Sequence, residues 1–258
     1  MGKVALITGS SSGIGLGIAK AMAAEGCTLI IHGIEEESKL RLQAQEISKQ
    51  YSNDTFFVSS DLTSESSLKT LMAQVENKYS AVDILINNAG IQHVASIESF
   101  SIEKWRQLLE IHLTVPFQLC QWALPKMRAK KWGRIINIAS VHGLVASKNK
   151  SAYVAAKHGL VGFTKTLALE TANSGVTCNA ICPGWVRTPL VEAQIEDRVR
   201  NEGITFEKAM QALVGEKQPH HSFVTVEQLG AMAVFLCSDN SSSMTGSAIT
   251  MDGGWLAQ

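Results

Sequence analysis

Residues 4–26 read VALITGSSSGIGLGIAKAMAAEG. A short β-branched run opens the stretch, Gly9, Gly13 and Gly15 interrupt it, and an apolar pattern at helical spacing follows. That order predicts a buried strand, a tight turn and a helix. Glycines in such a turn let backbone N–H groups approach an anion at the helix N-terminus, where unpaired donors favour a pyrophosphate. A glycine-rich turn alone says little. Its place between the first strand and the first helix of an alternating chain is what points to a dinucleotide.

The alternation continues outward from this unit. TLII, TFFV, VDILIN, RIINIAS, VTCNAIC and SAITM are further strand candidates, with helical patterns at 14–25, 64–79 and 151–172 among them. This predicts crossover connections and an α/β fold: a Rossmann-type, doubly wound, mostly parallel sheet of seven strands with helices on both faces. No repeat or Pro/Gly/Ser linker divides residues 1–258, so a single domain is expected. The rhythm fails once. Over 188–218 two charged helical patterns follow each other without a strand, which predicts a small helical lid over a substrate site.

Composition narrows the partners. Apolar residues make up 45% and charged residues 18%, and the 23 basic side chains balance 23 acidic ones. A chain with no basic excess offers no electrostatic footprint for nucleic acid. Its apolar runs are too short to span a bilayer, so no membrane partner is expected. The N-terminus enters a strand at once, and Leu6 stands where a myristoylation signal wants Ser or Thr. Cys27, Cys120, Cys178, Cys182 and Cys237 are odd in number, scattered and without ligand spacing, which predicts reduced, packed thiols and a cytoplasmic location. His32, His93, His158, His220 and His221 show no metal spacing either, and no metal is assigned.

The candidate chemistry lies in SVHGLVASKNKSAYVAAK, residues 140–157. Tyr153 and Lys157 are one helical turn apart, which sets an ammonium beside a phenol. A phenol of ordinary pKa near 10 is a poor proton carrier at neutral pH, and a nearby cation favours its phenolate. Tyr153 therefore reads as a general acid/base, with Ser140 placed to orient an alcohol or carbonyl.

The glycine spacing resembles the T-G-x-x-x-G-x-G fingerprint of short-chain dehydrogenase/reductases. The resemblance extends through Asp61, NNAG at 87–90, Ser140, Tyr153 with Lys157, PGWVRTP at 183–189, and MTG and DGG near the end. It implies that Gly9, Ser11, Gly13, Ile14 and Gly15 hold the dinucleotide phosphates, with Asp61 and Leu62 at the adenine. It assigns Asn88 and Gly90 to the adenosine side, and Pro183, Gly184, Val186 and Thr188 to the nicotinamide. Ser140 and Tyr153 would hold the reacting oxygen, while Lys157 touches the nicotinamide ribose and tunes Tyr153. The residues themselves address the choice between NAD and NADP. The second strand ends HGIEEE (32–37), an acidic run that suits a helix start but would repel a 2′-phosphate, so NAD is expected.

A narrower resemblance, to bacterial D-3-hydroxybutyrate dehydrogenases, rests on GIQH at 90–93, residues 135–162, residues 177–195 and DGGW at 252–255. It implies a small carboxylate substrate held by Gln92, His142, Lys150 and Gln194, with Trp185 and Trp255 closing the pocket. The loop between Ser140 and Tyr153 gives independent support, because a cation beside the reacting carbon suits acetoacetate better than a neutral ketone. Taken singly, these six are a loop lysine, a loop histidine, surface amides and packing tryptophans. The chain departs from the family at WRQLLEIHLTVPF (105–117), where His112 replaces an Asn whose main chain holds a water of the proton relay. His112 is accordingly a candidate catalytic residue with reduced but real activity expected, and a packed core histidine is the other reading. Two rivals stay open: a 3-oxoacyl or other short-chain ketone reductase, and a nucleotide-binding regulator impaired in catalysis. The resemblance implies a homotetramer, and the apolar segment 248–256 is compatible with an interface.

Overall fold

A computed structural model describes residues 1–258. β1 (Val4–Ile7), β2 (Thr28–Gly33), β3 (Thr55–Ser59), β4 (Ile84–Asn87), β5 (Gly133–Ile138), β6 (Val176–Pro183) and β7 (Ala248–Met251) form one sheet in the order β3-β2-β1-β4-β5-β6-β7. Every pairing is parallel. Strands buried on both faces need continuous apolar runs rather than alternation, and β5 and β6 are buried along their whole length. All seven sequence-predicted strands are present.

α1 (Gly13–Ala24), α2 (Glu37–Tyr51) and α9 (Val226–Cys237) cover one face, where Ile18, Met22, Ile47, Leu229 and Leu236 pack on Ile7, Ile31 and Ile86. α3 (Glu65–Tyr79), α5 (Val115–Ala129) and α6 (Ser151–Thr171) cover the other, where Leu71, Val75, Leu119 and Leu167 pack on Leu6, Ile30 and Leu85. α4 (Ile102–Leu109) runs into α5 through a π-helical turn, Glu110–Thr114. The five cysteines are buried and unpaired.

The strand order reverses between β1 and β4, and a crevice opens outside the carboxyl ends of strands at such a point. The glycine turn leaves β1 there and Asn88–Gly90 leave β4. Ser140 follows β5, Gly184–Val186 follow β6 and Gly253–Trp255 follow β7, all at the same edge. The two helical patterns of 188–218 form α7 (Pro189–Glu202) and α8 (Phe206–Gly215). They share a small core of Val191, Ile195 and Ala209 that takes in Trp185 and Phe223. No helix is long and apolar enough to cross a membrane.

Candidate active site

One cavity of about 580 Å³ runs along this edge from the glycine turn to Tyr153. Its wall includes every residue assigned above to the cofactor except Gly15, which lies behind the turn, and every substrate residue except Gln194, which faces an adjoining cavity. The sequence-derived set is therefore brought together.

At the glycine end, α1 starts without help from its own cap: Ser12 is extended and makes no side-chain capping bond, so first-turn N–H groups are left for a ligand. Gly15 is required by close approach, since a Cβ there would stand 2.2 Å from the Gly9 carbonyl oxygen. Asn88, on the cavity wall, braces the turn. Its Nδ2 donates to the Thr8 and Gly9 carbonyls, both at 2.9 Å, while Thr8 Oγ1 accepts from the Asn88 and Ala89 amides at 2.9 and 3.0 Å. The acidic run resolves to one side chain: Glu35 accepts from Ser11 Oγ at 2.7 Å, and its second oxygen, Oε2, is buried with no partner. Asp61 is exposed on the cavity rim and accepts from the Thr63 amide at 2.9 Å.

At the other end, α6 presents Tyr153 and Lys157 from successive turns. Lys157 is buried, its Nζ donates to the Ile138 carbonyl at 2.6 Å, and it lies 5.6 Å from the Tyr153 ring centre. Burial pulls Lys157 down to about 7. Burial pushes Tyr153 up to about 12, with the Ser140 hydrogen bond working the other way. The expected depression of the phenol by its neighbour is thus absent from these residues alone. Desolvation is the leading cause for both groups, and neither is among the causes that shift the other.

Ser140 Oγ accepts from the His142 amide at 3.1 Å and lies 3.4 Å from His142 Nδ1, and its hydroxyl also bonds toward Tyr153 at the cavity wall. His142 is buried, with Nε2 2.8 Å from Ser147 Oγ. Burial first, then Lys150, holds His142 down to about 4, so it meets a ligand as a neutral imidazole. The cation is Lys150. Burial lowers its pKa, no carboxylate acts on it, and its Nζ sits 5.1 Å over the Trp185 ring. Trp185 and Trp255 stack at 5.9 Å, and Trp255 packs edge-on to His142 at 5.5 Å. Gln194 Nε2 donates to Gln92 Oε1 at 3.1 Å, closing the wall between α7 and the β4–α4 connection. Thr188 caps α7, its side chain accepting from the Val191 amide.

His112 occupies the π-helical turn, buried, with its ring edge-on to Tyr153 at 5.1 Å. Nε2 bonds the Ile91 carbonyl at 2.7 Å while Nδ1 has no partner. The ring lies against Gly90, where a Cβ would come within 2.2 Å of it. Burial and the Lys157 charge hold His112 down to about 3, hence neutral. Pro116, four residues on, has no N–H for the His112 carbonyl, so that oxygen lacks its α-helical donor.

Sequence reasoning missed Gln218. It is fully buried, its Oε1 accepts from the Trp185 amide and its Nε2 donates to the Ser222 carbonyl at 2.7 Å. The same segment bonds Val224 N to the Trp185 carbonyl at 2.9 Å and His220 N to the Gly253 carbonyl at 3.0 Å. Both tryptophan loops are thereby stitched to the chain leaving α8. A glutamine beside Pro in a polar run carries no signal of burial.

A family model described as enoyl-(acyl carrier protein) reductase matches residues 9–256. The chain is 51% identical to a D-beta-hydroxybutyrate dehydrogenase of Cupriavidus necator, over 100% of this chain and 99% of that one. It is 47% identical to a D-beta-hydroxybutyrate dehydrogenase of Rhizobium meliloti, over 100% of each. Among solved structures, L-sorbose reductase from Gluconobacter frateurii, complexed with NADPH and L-sorbose, superposes with a TM-score of 0.95 at 31% identity, covering 100% of this chain and 97% of that one.

Proposed function

Because the chain belongs to the short-chain dehydrogenase/reductase family, we propose that it interconverts (R)-3-hydroxybutyrate and acetoacetate with NAD as hydride acceptor and donor. The observation that carries the substrate is Lys150: an ammonium without a carboxylate partner, half-buried over Trp185 on the same wall as Tyr153 and His142. A buried cation without an anion is costly unless a ligand completes the pair. A short 3-hydroxy acid does so, with its carboxylate on Lys150 and the His142 and Gln92 side chains and its C3 oxygen on Ser140 and Tyr153.

The proton chemistry follows from these residues. In oxidation Tyr153 takes the hydroxyl proton of C3 while Ser140 donates a hydrogen bond that fixes the oxygen; in reduction Tyr153 returns the proton. A phenol held high is protonated at neutral pH and suits the acid role, so oxidation gains as pH rises. Lys157, tied to the Ile138 carbonyl, sits where it can hold a ribose hydroxyl and pass the proton toward solvent. The His112 carbonyl, whose α-helical donor position is Pro116, is the candidate acceptor for a water in that relay. The dinucleotide, when bound, supplies the hydride acceptor. The unfilled first turn of α1, the closeness of Gly15 to Gly9 and the unpartnered Glu35 Oε2 fit its phosphates and a ribose hydroxyl.

Glu35 favours NAD, since a 2′-phosphate there would meet a carboxylate with no Arg or Lys beside it; the sorbose reductase, by contrast, is described with NADPH. α7 and α8 are the proposed lid. We further propose a homotetramer, supported by Leu169 and Phe117 on α6 and α5, which are 81% and 46% exposed, and a cytoplasmic location, supported by the five buried, unpaired cysteines. Light scattering checks the assembly.

The deciding experiment is a spectrophotometric assay of (R)- and (S)-3-hydroxybutyrate with NAD and NADP. Turnover of the (R)-acid with NAD, and little with the other three pairs, is expected. Preference for a 3-oxoacyl thioester with NADPH would turn the reading to the reductase rival. Dinucleotide binding without turnover of any ketone would turn it to a regulator.

A further inference from the structure

His32, in β2, plays no part in the chemistry above, yet its ring joins two cofactor loops. Nδ1 accepts from the Gly9 amide at 3.1 Å, and Nε2–H donates to the Ser60 carbonyl at 2.9 Å. Gly9 opens the glycine turn, and Ser60 precedes Asp61 in the β3–α3 connection. The main chain of His32 adds two bonds to the same turn: its amide donates to Ser10 Oγ at 2.9 Å and its carbonyl accepts from Ser10 N at 2.8 Å. The side chain is 2% exposed.

We propose that His32 is a positioning residue of the dinucleotide site, which fixes the spacing of the glycine turn and the Asp61 loop only while its ring is neutral. The inference rests on the dinucleotide reading of the cavity. Both ring nitrogens are committed, one accepting and one donating, and only the neutral tautomer protonated at Nε2 satisfies both. A second proton would have to sit on Nδ1, against the Gly9 N–H. Two donors would then face each other in a buried space, and the turn would have to move away from β2.

The charged groups acting on the ring are Glu35 from the β2–α2 connection and Asp61 from the β3–α3 connection. The glycine turn itself, residues 8–15, carries no charge. Glu35 and Asp61 favour a protonated ring, but burial outweighs them and lowers the pKa of His32 below the usual 6.5. The latch is therefore closed at neutral pH and opens on acidification below that value.

Fluorescence titration with NADH and with NADPH, between pH 7.5 and 5, on wild type, His32→Asn and His32→Gln tests this. The Asn oxygen stands near the place of Nδ1 and does not titrate, so H32N keeps the Gly9 bond and loses the Ser60 one. The Gln nitrogen stands near the place of Nε2, so H32Q keeps the Ser60 bond and loses the acceptor for Gly9. Expected are wild-type affinity that weakens more on acidification than that of H32N, whose flatter profile keeps only the titration of groups the two share, Lys157 among them, and H32Q weakened about tenfold at pH 7.5. A merely structural role would lower melting temperatures without flattening the H32N profile. An H32N profile parallel to wild type, or H32Q with wild-type affinity at pH 7.5, overturns the proposal. A wild type that binds neither nucleotide overturns the dinucleotide reading as well.

Discussion

At the glycine end of the cavity the polar groups are mostly tied to one another. Asn88, Thr8, Ser10 and His32 spend their hydrogen bonds on the turn, leaving the first amides of α1 and one oxygen of Glu35 for a ligand. At the Tyr153 end the working atoms are side chains from α6, the β5–α6 loop, the π-helical turn and the tryptophan loops, and several lack a protein partner. His112 Nδ1, Trp185 Nε1 and the Lys150 charge are the instances. On the proposed function, the first end works through the shape of a main-chain cradle and the second through the protonation states of desolvated side chains. Changes at the two ends should separate cofactor affinity from chemistry and substrate affinity.

The largest effect is expected from Tyr153→Phe. Removing the proposed proton carrier should lower kcat by roughly 10²–10⁴-fold, the usual share of general acid–base catalysis. NADH binding should stay within about twofold, because the cradle is untouched and the ring that His112 and His142 pack against is kept. Stopped-flow turnover beside a fluorescence titration reads both. A comparable loss of NADH affinity would mean that the two ends are not separable.

Gly15→Ala tests the cradle. Its Cβ would be placed 2.2 Å from the Gly9 carbonyl oxygen and 2.5 Å from Asn88 Nδ2, so the backbone itself must give. Overpacking of this kind costs about 1–3 kcal/mol, enough for NADH affinity to fall up to about 100-fold. If affinity is retained, the turn is not held by that close approach.

Both ends were readable in the sequence to different depths. Gly9, Gly13 and Gly15 spell the cradle because a backbone device leaves its mark in consecutive residues. The seven strands were equally plain as short β-branched and apolar-rich runs, the inner β5 and β6 being buried along their whole length. The helix pair α7 and α8 showed as a missing strand. Side-chain devices assembled from distant segments left less trace. Gln218 lies 33 residues from the Trp185 amide it holds, and His32 reads as one more residue of a strand. The acidic run near residue 35 was visible, but which carboxylate faces the cavity depended on the course of the chain after β2. The Tyr153–Lys157 spacing was legible while its electrostatics were not, since helical spacing reports proximity and says nothing of desolvation.

Lys150→Met keeps the apolar stem over Trp185 and removes the charge. A hydrogen bond to a charged group contributes about 1.5–3 kcal/mol, so KM for 3-hydroxybutyrate should rise roughly ten- to a hundredfold. KM for NAD should hold within about twofold, because Lys150 is remote from the cradle. Steady-state kinetics with each substrate varied in turn distinguishes the cases, and equal change in both constants removes Lys150 from carboxylate binding.

The smallest effect is expected from His112→Asn, and it carries two signs. Asn keeps the main-chain carbonyl opposite Pro116 and removes a bulky ring from beside Tyr153, so kcat should rise a few-fold if the relay limits turnover. Stability responds through titration. The His112 imidazole is held at about 3 in the folded chain, against about 6.5 when unfolded. Between these values the unfolded chain binds the extra proton, so this group's contribution declines as pH falls from about 6.5 toward 3. The melting temperature of wild type should therefore drop more steeply over that window than that of H112N. His142, held at about 4, acts in the same direction in both proteins and leaves their difference to His112. Parallel melting profiles with unchanged kcat would make His112 a packed histidine whose ring bears on neither the relay nor the acid response.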